Sequence, residues 1–165
     1  MKRTFSSLSA QEALHVTVFI EERNAELYHR FAEMFSEFRD VESLEIASVF
    51  WEMAAEERRH GTILLQRYTD LYNNRACALS EEDIQELIEL PRLDASDIFE
   101  TVKDKNARES ALQVALEAEQ QAREFYQNLA ATTGEPGLKK LYTELCEFEN
   151  AHVTFLERKI AEPAK

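Results

Sequence analysis

A chain of 165 residues is long enough for one domain with a substantial core, and a single domain across residues 1–165 is expected. With 44% hydrophobic and 31% charged residues it belongs with folded globular proteins rather than disordered ones. The formal charge of −13 argues against nucleic acid as a partner, because phosphate binding needs a basic surface, and it suits cations.

The first element is expected from about Ser9 to Phe38. "SAQE" (9–12) has the form of a capping box, with Ser9 as N-cap and Glu12 at the third helical position. Leu14, Val18, Glu21, Ala25, Tyr28, Ala32 and Phe35 then recur at threes and fours, which marks one face of a helix. That stripe is apolar except at Glu21, with a phenol at Tyr28. The second element runs from about Val41 to Tyr72. Its stripe is Phe50, Met53, Ala54, Glu57, His60, Gly61 and Leu64, again apolar but for two residues with ligand chemistry. Asn73 and Asn74 can end it.

Residues 75–104 form a long connection. "SEEDIQELIEL" (80–90) reads as a short capped helix stopped by Pro91. A connection of this length needs a structural reason. A crossover that carries the chain back along a bundle supplies one, leaving the helices on either side parallel. A further helix follows from about Lys105 to Ala131, then "TTGEPG" (132–137) as a break, then a last helix from about Leu138 to Ile160. Three glycines and three prolines are too few for the turns of a β-rich fold. No apolar stretch approaches the length of a membrane span, and the N-terminus lacks the apolar segment of a signal peptide. Cys77 and Cys146 form no CxxC, so a disulfide framework or thiolate zinc site is not expected and a reducing cytoplasm fits.

The two halves of the chain resemble each other. "EERNAELYHRFA" (21–32) aligns with "EQQAREFYQNLA" (119–130), and "EMAAEERRHGTIL" (52–64) with "ELCEFENAHVTFL" (144–156). The offset is 98 for the first pair and 92 for the second, which suggests that the first helix–helix connection is six residues longer. A duplicated helical hairpin is the economical explanation. It also chooses between two glutamates. Glu56 and Glu57 both stand within a turn of His60, but in the second copy Phe148 lies four residues before His152 and Glu149 lies three before it. Only the three-residue spacing repeats, so Glu57 is the partner of His60 and Glu56 faces outward. Glutamate fills 26 of 165 positions, so a single Glu-x-x-His would be weak evidence; its recurrence in register is what counts.

Residues i and i+3 are neighbours on a helix face, so one side chain can bridge two metals while the other binds one of them. A buried carboxylate is costly unless it is paired or coordinates a cation. Glu21, Glu57, Glu119 and Glu149 converging in a core would repel one another, and two divalent ions would relieve this. One Glu from each of two helices and Glu-x-x-His from each of the other two is the carboxylate di-metal arrangement of ferritin-like bundles. The expected fold is therefore all-α: a ferritin-like four-helix bundle of two antiparallel helix pairs, joined by a long crossover containing a short helix. Glu26 and Glu124, five residues past a ligand, are expected at the surface or rim. His15 and His29 lack counterparts and are expected to be ordinary helix residues. Trp51 is expected in the core or at an interface, and Cys146 as a small packing thiol.

In "IEERNAELYHRFAEMF", "MAAEERRH", "EAEQQAREFYQNLA" and "CEFENAH" the sequence resembles the rubrerythrin-type branch of the ferritin-like superfamily, and more closely the erythrin domains found ahead of membrane iron-transport modules in some bacterial proteins. The resemblance implies Glu21, Glu57, His60, Glu119, Glu149 and His152 as ligands of two iron ions cycling between Fe2+ and Fe3+. It also implies Tyr28 and Tyr126 as tyrosines that hydrogen-bond ligand carboxylates. It implies oxidation of Fe(II), with hydrogen peroxide or oxygen as the other reactant. Three departures are visible. Rubrerythrins often carry an additional ligand glutamate where this chain has Ala122. No CxxC supplies a rubredoxin tail, so electrons would come from a separate donor protein or from Fe(II) itself. No membrane segment follows Ile160. Mn(II) takes the same oxygen and nitrogen ligands, so manganese or a mixed centre stays open. So do a non-enzymatic iron sensor, carrier or storage cargo, and an oxygenase acting on an organic substrate. A homodimer is the default assembly.

Overall fold

The computed structural model describes residues 4–88 and 106–163. These are helical, with no strand among the described residues, as expected of a ferritin-like helical bundle. The helices are α1 (Ala10–Phe38), α2 (Val41–Tyr72), α3 (Glu81–Ile88), α4 (Ala107–Thr132) and α5 (Pro136–Ala161), preceded by a 3-10 turn at Phe5–Ser7. The expected stop at Pro91, and the rest of the crossover up to residue 105, lie outside the described residues. The chain forms two compact units: Met1–Arg39 with Leu44–Arg92, and Asp40–Ser43 with Leu93–Lys165.

In the first unit α1 and α2 run antiparallel. Gln11, near the start of α1, donates to the Tyr68 hydroxyl near the end of α2 at 2.8 Å. The capping box at Ser9 forms as expected: the Glu12 amide donates to Ser9 Oγ, and the Ser9 amide donates to the Glu12 carboxylate at 2.8 Å. We expect Ser9→Ala to cost about 1 kcal/mol in a urea melt. Every member of both sequence stripes is buried. Phe50 of α2 anchors the packing, with its ring 5.1 Å from that of Phe31 and about 6 Å from those of Tyr28 and Phe35. α2 ends at Asn73 and Asn74, both with positive φ (49° and 59°), a conformation that asparagine tolerates better than most residues. Ser80 and Asp83 then cap α3 reciprocally, the Asp83 amide donating to Ser80 Oγ and the Ser80 amide to the Asp83 carboxylate.

In the second unit α4 and α5 also run antiparallel, with Arg108 near the start of α4 donating to the carbonyl of Lys159 near the end of α5 at 3.1 Å. Leu138, Leu141, Tyr142, Leu145, Val153 and Leu156 carry the buried face of α5. α5 begins at Pro136, inside the stretch expected to be a break, because proline at the first helical turn lacks only an N–H that would have no intrahelical partner.

The structure corrects one expectation about the duplication. The first connection is not longer: only Arg39, in the left-handed conformation, and Asp40 separate α1 from α2, whereas Thr133–Glu135 separate α4 from α5. The extra residues are helical. α1 continues from Glu21 to Phe38 where α4 continues only from Glu119 to Thr132, and α2 gains a further turn before Glu57. Asp40 makes the tight link workable by accepting from the Ser43 amide at 2.9 Å and the Ser43 hydroxyl at 2.6 Å, which holds its carboxyl below the ordinary range.

Candidate metal centre

In the first unit α1 supplies Glu21 and α2 supplies Glu57 and His60. Glu21 and Glu57 have no exposed surface and His60 is 5% exposed. His60 Nδ1 lies 3.3 Å from Glu21 Oε2, and the three residues each offer a ligand atom within 4.8 Å of the others. The second unit repeats this. Glu119 of α4 and Glu149 of α5 are fully buried and His152 is 9% exposed. His152 Nδ1 lies 3.3 Å from Glu119 Oε2 and 3.9 Å from Glu149 Oε2, again with one ligand atom from each within 4.8 Å. The same nitrogen meets the same carboxylate oxygen at the same distance in both copies. Each triad offers carboxylate oxygens and an imidazole nitrogen, a donor set suited to Fe(II) or Mn(II), and thiolate plays no part in it. Burying two carboxylates beside one imidazole leaves excess negative charge, which a divalent cation offsets.

Glu56 is half-buried and its counterpart Phe148 is 53% exposed, while Glu57 and Glu149 are buried. Glu26 and Glu124 are exposed, and Glu26 pairs with Arg30 at 2.9 Å. Tyr28 and Tyr126, seven residues beyond Glu21 and Glu119, are both fully buried. His29 lies in a surface cluster with Glu33, Arg58 and Trp51. Trp51 is not a core residue: it is 40% exposed and lies edge-on to the His29 ring. Cys146 is half-buried, with Sγ 3.7 Å from the Arg123 carbonyl. Burial pushes its thiol above the usual range, against the pull of Arg123 and with help from Glu147, which leaves it a weak nucleophile.

Gly61, next to His60, is where α2 approaches α1 at Glu21. A Cβ there would lie 3.5 Å from Glu21 Cβ, an ordinary contact. Gly61→Ala is therefore expected to fold normally and gain up to about 1 kcal/mol from helix propensity. Gly61→Leu would place its further carbons beside Glu21 Cβ and Glu22 Cγ, which a Cβ alone would meet at 3.5 and 3.8 Å, and is expected to press on Glu21. It should cost about 1–3 kcal/mol and reduce metal uptake, as measured by melts and metal content.

Sequence reasoning missed three buried polar residues of α1: Thr17, whose hydroxyl donates to the Leu14 carbonyl at 2.7 Å, and Arg23 and Asn24. Asn24, one turn beyond Glu21, is fully buried, and its side-chain amide has no hydrogen-bond partner among the described residues. Its counterpart in α4 is Ala122, so no repeat marked it. Arg23 is 7% exposed; burial lowers its guanidinium to about 10, with Tyr28 opposing the shift. Nothing in the composition of α1 distinguishes Arg23 from a surface arginine.

The chain matches the Rubrerythrin family over residues 12–160 and belongs to it. A solved structure of an uncharacterised conserved protein from Magnetospirillum magnetotacticum MS-1 is similar, with a TM-score of 0.72 and 24% identity over 96% of this chain and 99% of that one. That likeness shows a shared fold. Comparison with curated proteins finds no match.

Proposed function

We propose that residues 1–165 act as one domain in which the two triads jointly hold a dinuclear iron centre, and that the protein oxidises Fe(II) while reducing hydrogen peroxide or oxygen. The observation that carries this reading is the burial of four glutamates and two histidines, none more than 9% exposed, in two triads of matching geometry. Membership of the rubrerythrin family supports iron as the metal. In this reading Glu57, Glu149, Glu21 and Glu119 would supply carboxylate oxygens and His60 and His152 imidazole nitrogens to hold the two ions.

Iron, when bound, supplies the redox change. The chain's own residues balance its charge, fix its separation and keep bulk water away from it. Tyr28 and Tyr126, both fully buried, are suited to hydrogen-bond ligand carboxylates and so to hold their orientation. The free thiols Cys77 and Cys146 accord with a reducing cytoplasmic setting.

Elemental analysis after anaerobic Fe(II) loading should approach two irons per chain. A helical protein that binds no metal would overturn the site, and a preference for manganese would change the metal. Repeated turnover with peroxide and a reductant is expected of the enzyme. A single round of oxidation that stops with iron retained would instead identify a carrier or storage module.

A further inference from the structure

Three polar side chains of α1 have no exposed surface: Thr17, Glu21 and Asn24. Thr17 donates to the Leu14 carbonyl at 2.7 Å and is satisfied within its own helix. Glu21 belongs to the first triad, its Oε2 lying 3.3 Å from His60 Nδ1. Asn24 is different, since neither its Oδ1 nor its Nδ2 has a hydrogen-bond partner among the described residues. A primary amide offers two N–H donors and two carbonyl lone pairs, and burying all of them unmet is costly. Folded proteins rarely keep such a group unless an ion, a ligand or a water meets it.

The register of the helices sets that amide beside the metal ligands. Asn24 follows Glu21 by three residues, so the two share a helix face, about 4.5 Å apart along the axis and about 60° apart around it. α1 and α2 run antiparallel, and Glu21 stands opposite His60. One turn forward along α1 therefore corresponds to one turn back along α2. That puts Asn24 level with Glu57, which precedes His60 by three residues. Tyr28, stacked on Phe50 at 6.0 Å, continues the same register. The unmet amide thus shares its helix face with one carboxylate of the triad and its level with the other.

Charge accounts for an amide rather than an acid here. Glu21, Glu57, Glu119 and Glu149 together balance two divalent ions. A fifth carboxylate would leave the buried centre negative, whereas a carbonyl oxygen adds a donor and no charge. Amide carbonyls are ordinary ligands of divalent cations that take oxygen. We propose that Asn24 Oδ1 is a further, uncharged oxygen ligand of the metal centre. This rests on the reading that the triads hold metal. The contribution is one-sided, because the counterpart of Asn24 in the second copy is Ala122, which offers no donor.

The test compares Asn24→Leu, Asn24→Ala and Asn24→Asp in the full-length chain. Fe(II) affinity is measured anaerobically against a colorimetric chelator, and the metal-free proteins are melted. Asn24→Leu removes the donor and keeps the branching at Cγ; Asn24→Ala removes it without crowding. Both should lower Fe(II) affinity at least about tenfold. Asn24→Asp keeps an oxygen in place and should bind Fe(II) at least as tightly as the native chain. Metal-free melting should run the other way. Asn24→Leu should melt no lower than the native chain, because an unmet amide is gone. Asn24→Asp should melt below it, because a buried charge is added. An asparagine with a structural role alone, or one met by a buried water, would leave iron affinity unchanged in all three. If Asn24→Leu or Asn24→Ala, shown to be helical, bound Fe(II) with native affinity, or if Asn24→Asp bound no more tightly than Asn24→Leu, the role of Asn24 would be overturned and the triads left standing. Failure of the native chain itself to bind Fe(II) would overturn the triads and this proposal together.

Discussion

Glu57→Gln should abolish tight metal binding, while Glu56→Gln should leave it nearly intact. The two substitutions are adjacent and chemically identical, and each removes one negative charge from the same helix turn. A long-range electrostatic contribution to cation affinity would respond to both alike. A ligand contribution responds only to the carboxylate that reaches the metal. Glu57 has no exposed surface and offers a ligand atom within 4.8 Å of those of Glu21 and His60, whereas Glu56 is half-buried. Even partners that merely orient a ligand typically change metal affinity by about 10–100-fold, so loss of Glu57 should cost at least that much. Titration of Fe(II) into each apo-variant, with helical content monitored, measures the difference. Equal affinities would show that the repeat had selected the wrong glutamate.

The burial of Glu57 in preference to Glu56 was legible because the chain contains its own control. Phe148 occupies the position of Glu56 in the second copy, and a phenylalanine there excludes a ligand role for that register. The helices were legible for a related reason: stripes at threes and fours were long, and Ser9, Asn73 and Asn74 marked ends by known backbone preferences. What escaped had no such internal reference. Asn24 stands opposite Ala122 in the repeat, so duplication could not single it out, and one polar residue on a long helix carries no signal of burial. The length difference between the halves was visible, but its location was not. Six extra residues look the same in sequence whether they extend a loop or two helices, and the decision fell to Arg39 adopting a left-handed conformation that sequence does not strongly signal for arginine.

Metal binding is expected to raise the melting temperature of the protein by roughly 5–10 °C when free Fe(II) is held anaerobically at about 100 times its dissociation constant. Ligand that binds only the folded state contributes about 2.7 kcal/mol at that ratio, and a chain of this size gains about 2–4 °C per kcal/mol. The source of the gain is local. The protein holds Glu21, Glu57, Glu119 and Glu149 at zero exposure, with His60 and His152 as the nitrogen partners of the two triads. Bound cations convert that unfavourable burial into coordination. Because ligands must give up protons to bind, the gain should shrink as pH falls toward 5 and protons compete for the same atoms. Glu119 offers the cleanest test, since it is the only one of its triad drawn from α4, and its removal leaves the Glu149–His152 pair on α5. Glu119→Gln keeps the volume and removes the charge, while Glu119→Ala also removes the side chain beyond Cβ. Both should stay helical, bind less iron and show a smaller metal-induced rise at neutral pH. Glu119→Gln should melt no lower than the parent when both are metal-free, because one buried charge has been relieved. Identical melting of metal-free and metal-loaded parent protein, or a Glu119→Gln variant with full iron content and the full rise, would remove Glu119 from the ligand set.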